Sequence, residues 1–103
     1  MFIAVNTAFP LGHMVMTRGV NDLVADDEAF ARFVTESLAR HIKGDWGDLD
    51  DEDKLTNDEA LKQGLRLLSV YNDDRFAKHG ISTIWIITEA NRSATTILFP
   101  DEY

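Results

Sequence analysis

The chain has 103 residues, 45% of them hydrophobic and 27% charged, the composition of one folded domain and not of a disordered or multi-domain protein. It holds no cysteine, which excludes disulfides, thiolate nucleophiles and Cys-ligated metal sites. Acidic residues outnumber basic ones 18 to 10 for a net charge of −8, a balance opposed to coating nucleic acid through its phosphates.

The opening Met1-Phe2-Ile3-Ala4-Val5-Asn6 lacks the basic region and long apolar core of a secretory signal. No apolar run approaches the ~18–20 residues that span a membrane, so the expected location is the cytoplasm, with no membrane partner. Pro10 and Gly12 punctuate the chain before His13-Met14-Val15-Met16-Thr17, which alternates loosely and is predicted as a first strand. Val20 to Val24 follow as a short turn of helix. The clearest helix runs from about Asp27 to Lys43, where Phe30, Phe33, Val34, Leu38, His41 and Ile42 form one apolar stripe. Off that stripe, Glu28 precedes Arg32 and Glu36 precedes Arg40 at the favourable i,i+4 spacing. Gly44 suits the helix end.

A second, short helix is predicted to open at Thr56, because Thr56-Asn57-Asp58-Glu59 has the pattern of a capping box. Ala60, Leu61 and Leu65 form its buried edge and Gly64 ends it. The remainder reads as β: a strand over Leu65–Tyr71, a loop over 72–80, a strand over Ile81–Thr88, a turn over Glu89–Ser93, and a strand over Ala94–Phe99 stopped by Pro100. Residues 1–103 are thus expected to form a single α+β domain. Its sheet is an antiparallel three- to four-stranded meander, covered on one face by one long and one short helix.

The acid is unevenly spread. Residues 22–59 hold 13 Asp and Glu against Arg32, Arg40, Lys43 and Lys54, a net of −9, and the density peaks over Asp45–Asp53. Three readings compete. The run is a solvated helix start, since carboxylates favour helix N-termini. Or it is a partner surface imitating the phosphates of nucleic acid, which fall one charge per ~1.7 Å of duplex axis. Or it is a calcium loop; counted from Asp48, the sixth position is Asp53 where an EF-hand needs Gly, and the twelfth is Glu59 as required.

Several segments stand together: His41-Ile42-Lys43-Gly44-Asp45-Trp46-Gly47; Asn57 with Ala60 and Gly64; Arg66 with Ser69 and Tyr71; and Trp85 to Thr96, closing on Pro100-Asp101-Glu102-Tyr103. In these the chain resembles a family of small bacterial proteins carried on plasmids and integrative elements. Family members are labelled hypothetical, plasmid-related or type I restriction subunit. The resemblance covers about Phe9 to Tyr103 and implies a mobile-element habitat, not an activity. The family's turn reads Thr-Glu-Ala-Asp-Arg-Ser; here Asn91 stands at the Asp, and Asn cannot act as a base.

Among residues able to do chemistry, His41 is either a partly buried histidine that caps the helix end or bonds a backbone carbonyl, or a general acid/base. Arg66 and Arg92 either fix the strands or hold an anion. Together, His41, Arg66 and Arg92 make the parts list of a small metal-independent ribonuclease, against which the net charge argues. His13 and His79 have no companion at metal-ligand spacing, so neither metal nor cofactor is expected. Trp46 is either folded under the helix end or exposed as an interface anchor.

The leading expectation is a non-enzymatic accessory protein that binds a host nucleic-acid-handling or defence protein, as an anti-restriction or anti-CRISPR inhibitor does. It uses Asp45, Trp46, Asp48, Asp50, Asp51, Glu52 and Asp53 as the contact surface and does not bind nucleic acid directly. The ribonuclease is one alternative. A homodimeric module pairing through an exposed strand edge is another.

Overall fold

The computed structural model describes residues 7–103; the apolar start Met1–Asn6 lies outside the described residues. In chain order the elements are β1 (His13–Met16), α1 (Arg18–Asp26), α2 (Glu28–His41), α3 (Asp51–Gln63), β2 (Leu67–Asn72), a 3₁₀ turn (Asp74–His79), β3 (Thr83–Thr88), β4 (Ala94–Leu98) and a closing 3₁₀ turn (Pro100–Glu102). The class is α+β, as the sequence implies. The sheet is not a pure meander. Its order is β1-β4-β3-β2; β2, β3 and β4 pair antiparallel, but β1 joins β4 in parallel, His13 beside Ala94 and Met16 beside Ile97. Hairpin turns cannot make that pair, so the chain returns to β1 only after passing through all three helices and the other two strands.

Alternation along the strands sets the two faces. Leu67, Ser69, Tyr71, Ile84, Ile86, Thr88, Thr95 and Ile97 are buried. The larger core cluster joins Tyr71, Ile84, Ile86 and Ile97 to Val20 of α1 and to Phe30, Phe33 and Val34 of α2. Phe30 and Phe76 meet edge to face at 5.2 Å, which closes the end of this layer with the 3₁₀ turn after β2. α2 keeps its sequence-predicted stripe and is capped by Asp27, which accepts from the Phe30 amide at 3.1 Å. The anticipated Glu36–Arg40 pair gives way to another. Arg40 reaches Asp45 at 2.8 Å, because the chain turns back at the helix end and brings that carboxylate closer.

α3 starts at Asp51, well before Thr56. Its cap is Asp50, which accepts from the Asp53 amide at 2.8 Å, and Asp51, Glu52 and Asp53 fill the first turn. Thr56 is therefore inside the helix, donating to the Glu52 carbonyl. Helix occupies the stretch that a calcium loop would need.

α3 lies along the outer edge of β2 and helps close it. Asn57, buried on α3, donates to the Leu68 carbonyl at 2.5 Å and its oxygen faces the Leu68 amide at 3.4 Å. The Val70 amide donates to Trp46, the Val70 carbonyl accepts from Asp48, and the Asn72 amide donates to the Asp48 carboxylate. Each outward backbone group from Leu68 to Asn72 that these bonds name is thus occupied. Replacing Asn57 by Ala is expected to cost about 1–2 kcal/mol in urea denaturation, because both Leu68 groups lose their partner in a half-buried place.

Candidate functional site

Two groups of residues hold the candidates named from the sequence. The first surrounds His41, which is fully buried at the end of α2. Its Nδ1 lies 2.6 Å from Ser69 Oγ and its Nε2 lies 2.9 Å from Thr88 Oγ1. Thr88 Oγ1 is 2.8 Å from Thr95 Oγ1, and Thr95 donates to the Leu11 carbonyl at 2.8 Å. That last acceptor fixes the direction of the whole chain. Thr95 gives its proton to Leu11, so Thr88 donates to Thr95, and Nε2–H of His41 donates to Thr88. Nδ1 is left to accept from Ser69. The ring is neutral and of one tautomer. Burial, with the Arg92 charge adding to it, holds its pKa down to about 4.

Phe9 stands against the imidazole edge to face at 5.2 Å, and the Trp46 ring lies at 5.8 Å. Trp46 is only 3% exposed, and its indole N–H donates to Asp58 at 2.9 Å. This tryptophan is folded under the helix end and is not an exposed anchor. With Phe9, Ala60 and Leu67 it forms a second, smaller core that glues α3 to the sheet.

Arg92 lies beyond Phe9, its guanidinium 5.7 Å from that ring's centre. It donates to the Leu65 carbonyl at 2.7 Å and the Glu89 carbonyl at 3.0 Å. Its backbone has φ 59°, the left-handed corner of the β3–β4 turn. Arg66 pairs with Glu89 at 3.7 Å and donates to the Tyr103 hydroxyl at 2.7 Å. His41, Arg66 and Arg92 therefore do not converge on a common opening: the histidine is sealed and each arginine ties two segments together. Asn91 accepts from the Ser93 amide at 3.0 Å, a turn bond that its amide oxygen makes as well as a carboxylate would.

The second group is the acidic edge. Asp45 is half exposed, bound by Arg40, and accepts from the Gly47 amide; the Arg40 bond holds its carboxyl below the usual carboxylate range. Tyr71 donates to the Asp45 carbonyl at 2.6 Å, and burial pushes its phenol up. Gly47 has φ 77°, and a Cβ there would run into the Val70 carbonyl and the Tyr71 ring, so only glycine lets the acidic loop lie on β2. Asp48 and Asp50 accept from main-chain amides, at Asn72 and Asp53. The carboxylates of Asp51, Glu52 and Asp53 are exposed and enter no ion pair or hydrogen bond among the described residues.

Sequence reasoning missed the parts that bring these groups together. Ser69 and Asn57 are polar residues at buried positions; the resemblance singles them out without a role, and their physical signal in the sequence is that they interrupt apolar stripes. Among the described residues no helix is long and apolar enough to cross a membrane, and no three His, Cys, Asp or Glu gather as a metal site. Compared with protein-family models, with curated proteins and with solved structures, the chain gives no match.

Proposed function

We propose that this protein works by binding, presenting its acidic edge to a basic surface on another protein, and not by catalysis. One observation carries the reading. Asp45, Asp48 and Asp50 are pinned to main-chain amides, while the neighbouring Asp51, Glu52 and Asp53 keep their charge free for a partner. The pinned carboxylates fix the loop and the start of α3, so little backbone ordering opposes a contact made by the free ones. Along the start of α3 the rise of about 1.5 Å per residue gives a linear charge density close to that of a phosphate duplex. A groove built for nucleic acid is the surface such an edge fits. The resemblance to proteins of plasmids and integrative elements supports a host defence nuclease, of the restriction or CRISPR kind, as that partner. Trp46 plays no part in the contact; it holds the edge from beneath. The burial of His41 supports binding over a ribonuclease, which would need an accessible base.

The test uses Asp51→Lys, Glu52→Lys and Asp53→Lys together, since their side chains bond nothing among the described residues and the loss of favourable first-turn charge costs α3 only a modest amount. Asp48 and Asp50 are left alone because their carboxylates bond the backbone. Wild-type protein is expected to retain a nucleic-acid-handling protein from a bacterial lysate and to compete with its nucleic acid. The triple variant, equally folded by circular dichroism, should bind that partner at least about tenfold more weakly at low salt. Equal binding by the two proteins sinks the acidic edge as the contact.

A further inference from the structure

The two edges of the sheet are treated differently. β2 is closed by Asn57, Trp46 and Asp48, whereas nothing among the described residues pairs with the outer side of β1. His13 donates to the Ser93 carbonyl and Thr17 to the Ile97 carbonyl, so these residues face β4. Strand alternation then turns the N–H and C=O of Met14 and Met16 outward. The side chains match this openness: Met14, Val15 and Met16 are 45%, 43% and 39% exposed. Met14 and Met16 border an apolar groove of about 340 Å³ whose other walls include Val34 and Leu38 of α2. Edges that must stay single are short or carry a lysine, a proline or a bulge. β1 is short, four residues, but carries no lysine, proline or bulge.

We infer that β1 is the interface with a second copy of this chain, joined antiparallel across a two-fold axis at Val15 to make one continuous eight-stranded sheet. The register follows from the free groups. Met14 opposite Met16 of the second copy exchanges both of its bonds, Met16 opposite Met14 does the same, and no outward group is left over. On the helix-covered face the methionines meet over the groove; on the other face Val15 meets its own copy. Charge permits this occupant. A chain of net charge −8 resists self-association, yet the dense acid at 45–59 lies beyond β2, at the far edge. In the joined sheet the two β2 strands are seven spacings apart, roughly 33 Å. That is several times the screening length of about 8 Å at physiological salt. The inference stands apart from the binding role proposed above, since the acidic edges stay free at both ends.

The absence of native cysteine makes the test direct. Residues opposed on the axis lie about 4.5 Å apart between Cα atoms, inside the range of about 4.4–6.8 Å for a disulfide. Val15→Cys is expected to form a disulfide-linked dimer under a glutathione redox buffer at least about tenfold faster than Glu59→Cys, placed on exposed α3, because pairing raises the local thiol concentration. In sedimentation, wild type should be a dimer and Val15→Lys a monomer with an unchanged circular dichroism spectrum. If Val15→Lys does not fold, the cysteine comparison decides alone. Cross-linking of Val15→Cys no faster than of Glu59→Cys overturns the inference, and so does wild-type protein that is monomeric at its highest soluble concentration.

Discussion

Trp46→Ala should lower the unfolding free energy by about 3–5 kcal/mol, the range for emptying a buried tryptophan site. The side chain is 3% exposed and fills the space between Phe9, His41 and α3. Nothing can slide in behind it, because Gly47 is held against Val70 and the chain on either side is bonded to β2. Asp58 would also lose its indole donor. Trp46→Phe should cost much less, since it keeps most of the ring contact and surrenders only the hydrogen bond to an exposed carboxylate. Urea denaturation of the three proteins gives both numbers. A Trp46→Ala protein as stable as wild type would mean that the indole is not packed as described, and the interface-anchor reading would regain its ground.

The second large effect is a pH dependence centred on His41. Its pKa is about 4 in the folded protein against 6.5 for an unperturbed histidine. The unfolded chain therefore binds a proton between those values that the folded chain refuses, and stability rises with pH across that window. The contribution is complete above about pH 6.5 and is lost as the pH falls toward 4, to a total of about 3 kcal/mol. Between pH 7 and pH 5 the expected loss is about 2 kcal/mol. Asp27, Asp45, Asp73 and Glu102 are also held below their usual values and act in the same direction, but only as the pH falls through the carboxylate range. His41→Gln should flatten the upper part of the curve and leave the lower part in place. An unchanged slope between pH 7 and pH 5 in that variant would show that the imidazole is not the group responsible.

The sequence made α2 legible because a single stripe of large apolar side chains has only one reading at helical spacing. α3 was harder, since little of it is apolar and Leu55 is 66% exposed. Its true start is written in the carboxylates at Asp50–Asp53, which a charge count reads as a solvated run and the helix uses as a cap and a first turn. Thr56 imitates a cap because Thr-x-x-Glu occurs inside helices as well as at their beginnings. The parallel β1–β4 pair left no local trace. All four residues of β1 are exposed, so no burial pattern announces it, and its partner lies at the other end of the described chain. His41 was legible as a residue of the buried stripe. Its partners were not, because Ser69, Thr88 and Thr95 meet only when three strands take their register.

The bond network that joins β1 to β4 links Thr17 to Ile97 across 80 positions of sequence. On the ribosome this separation becomes time. At about 5–20 residues per second, β1 waits roughly 4–16 s after its own synthesis for the strand it will pair with. Glu102, which accepts from the Thr17 hydroxyl and the Gly19 amide, is made later still. The nascent chain therefore carries His13–Met16 without its β4 partner while the next 80 or so residues are made, and the sheet is completed only after β4 has left the exit tunnel.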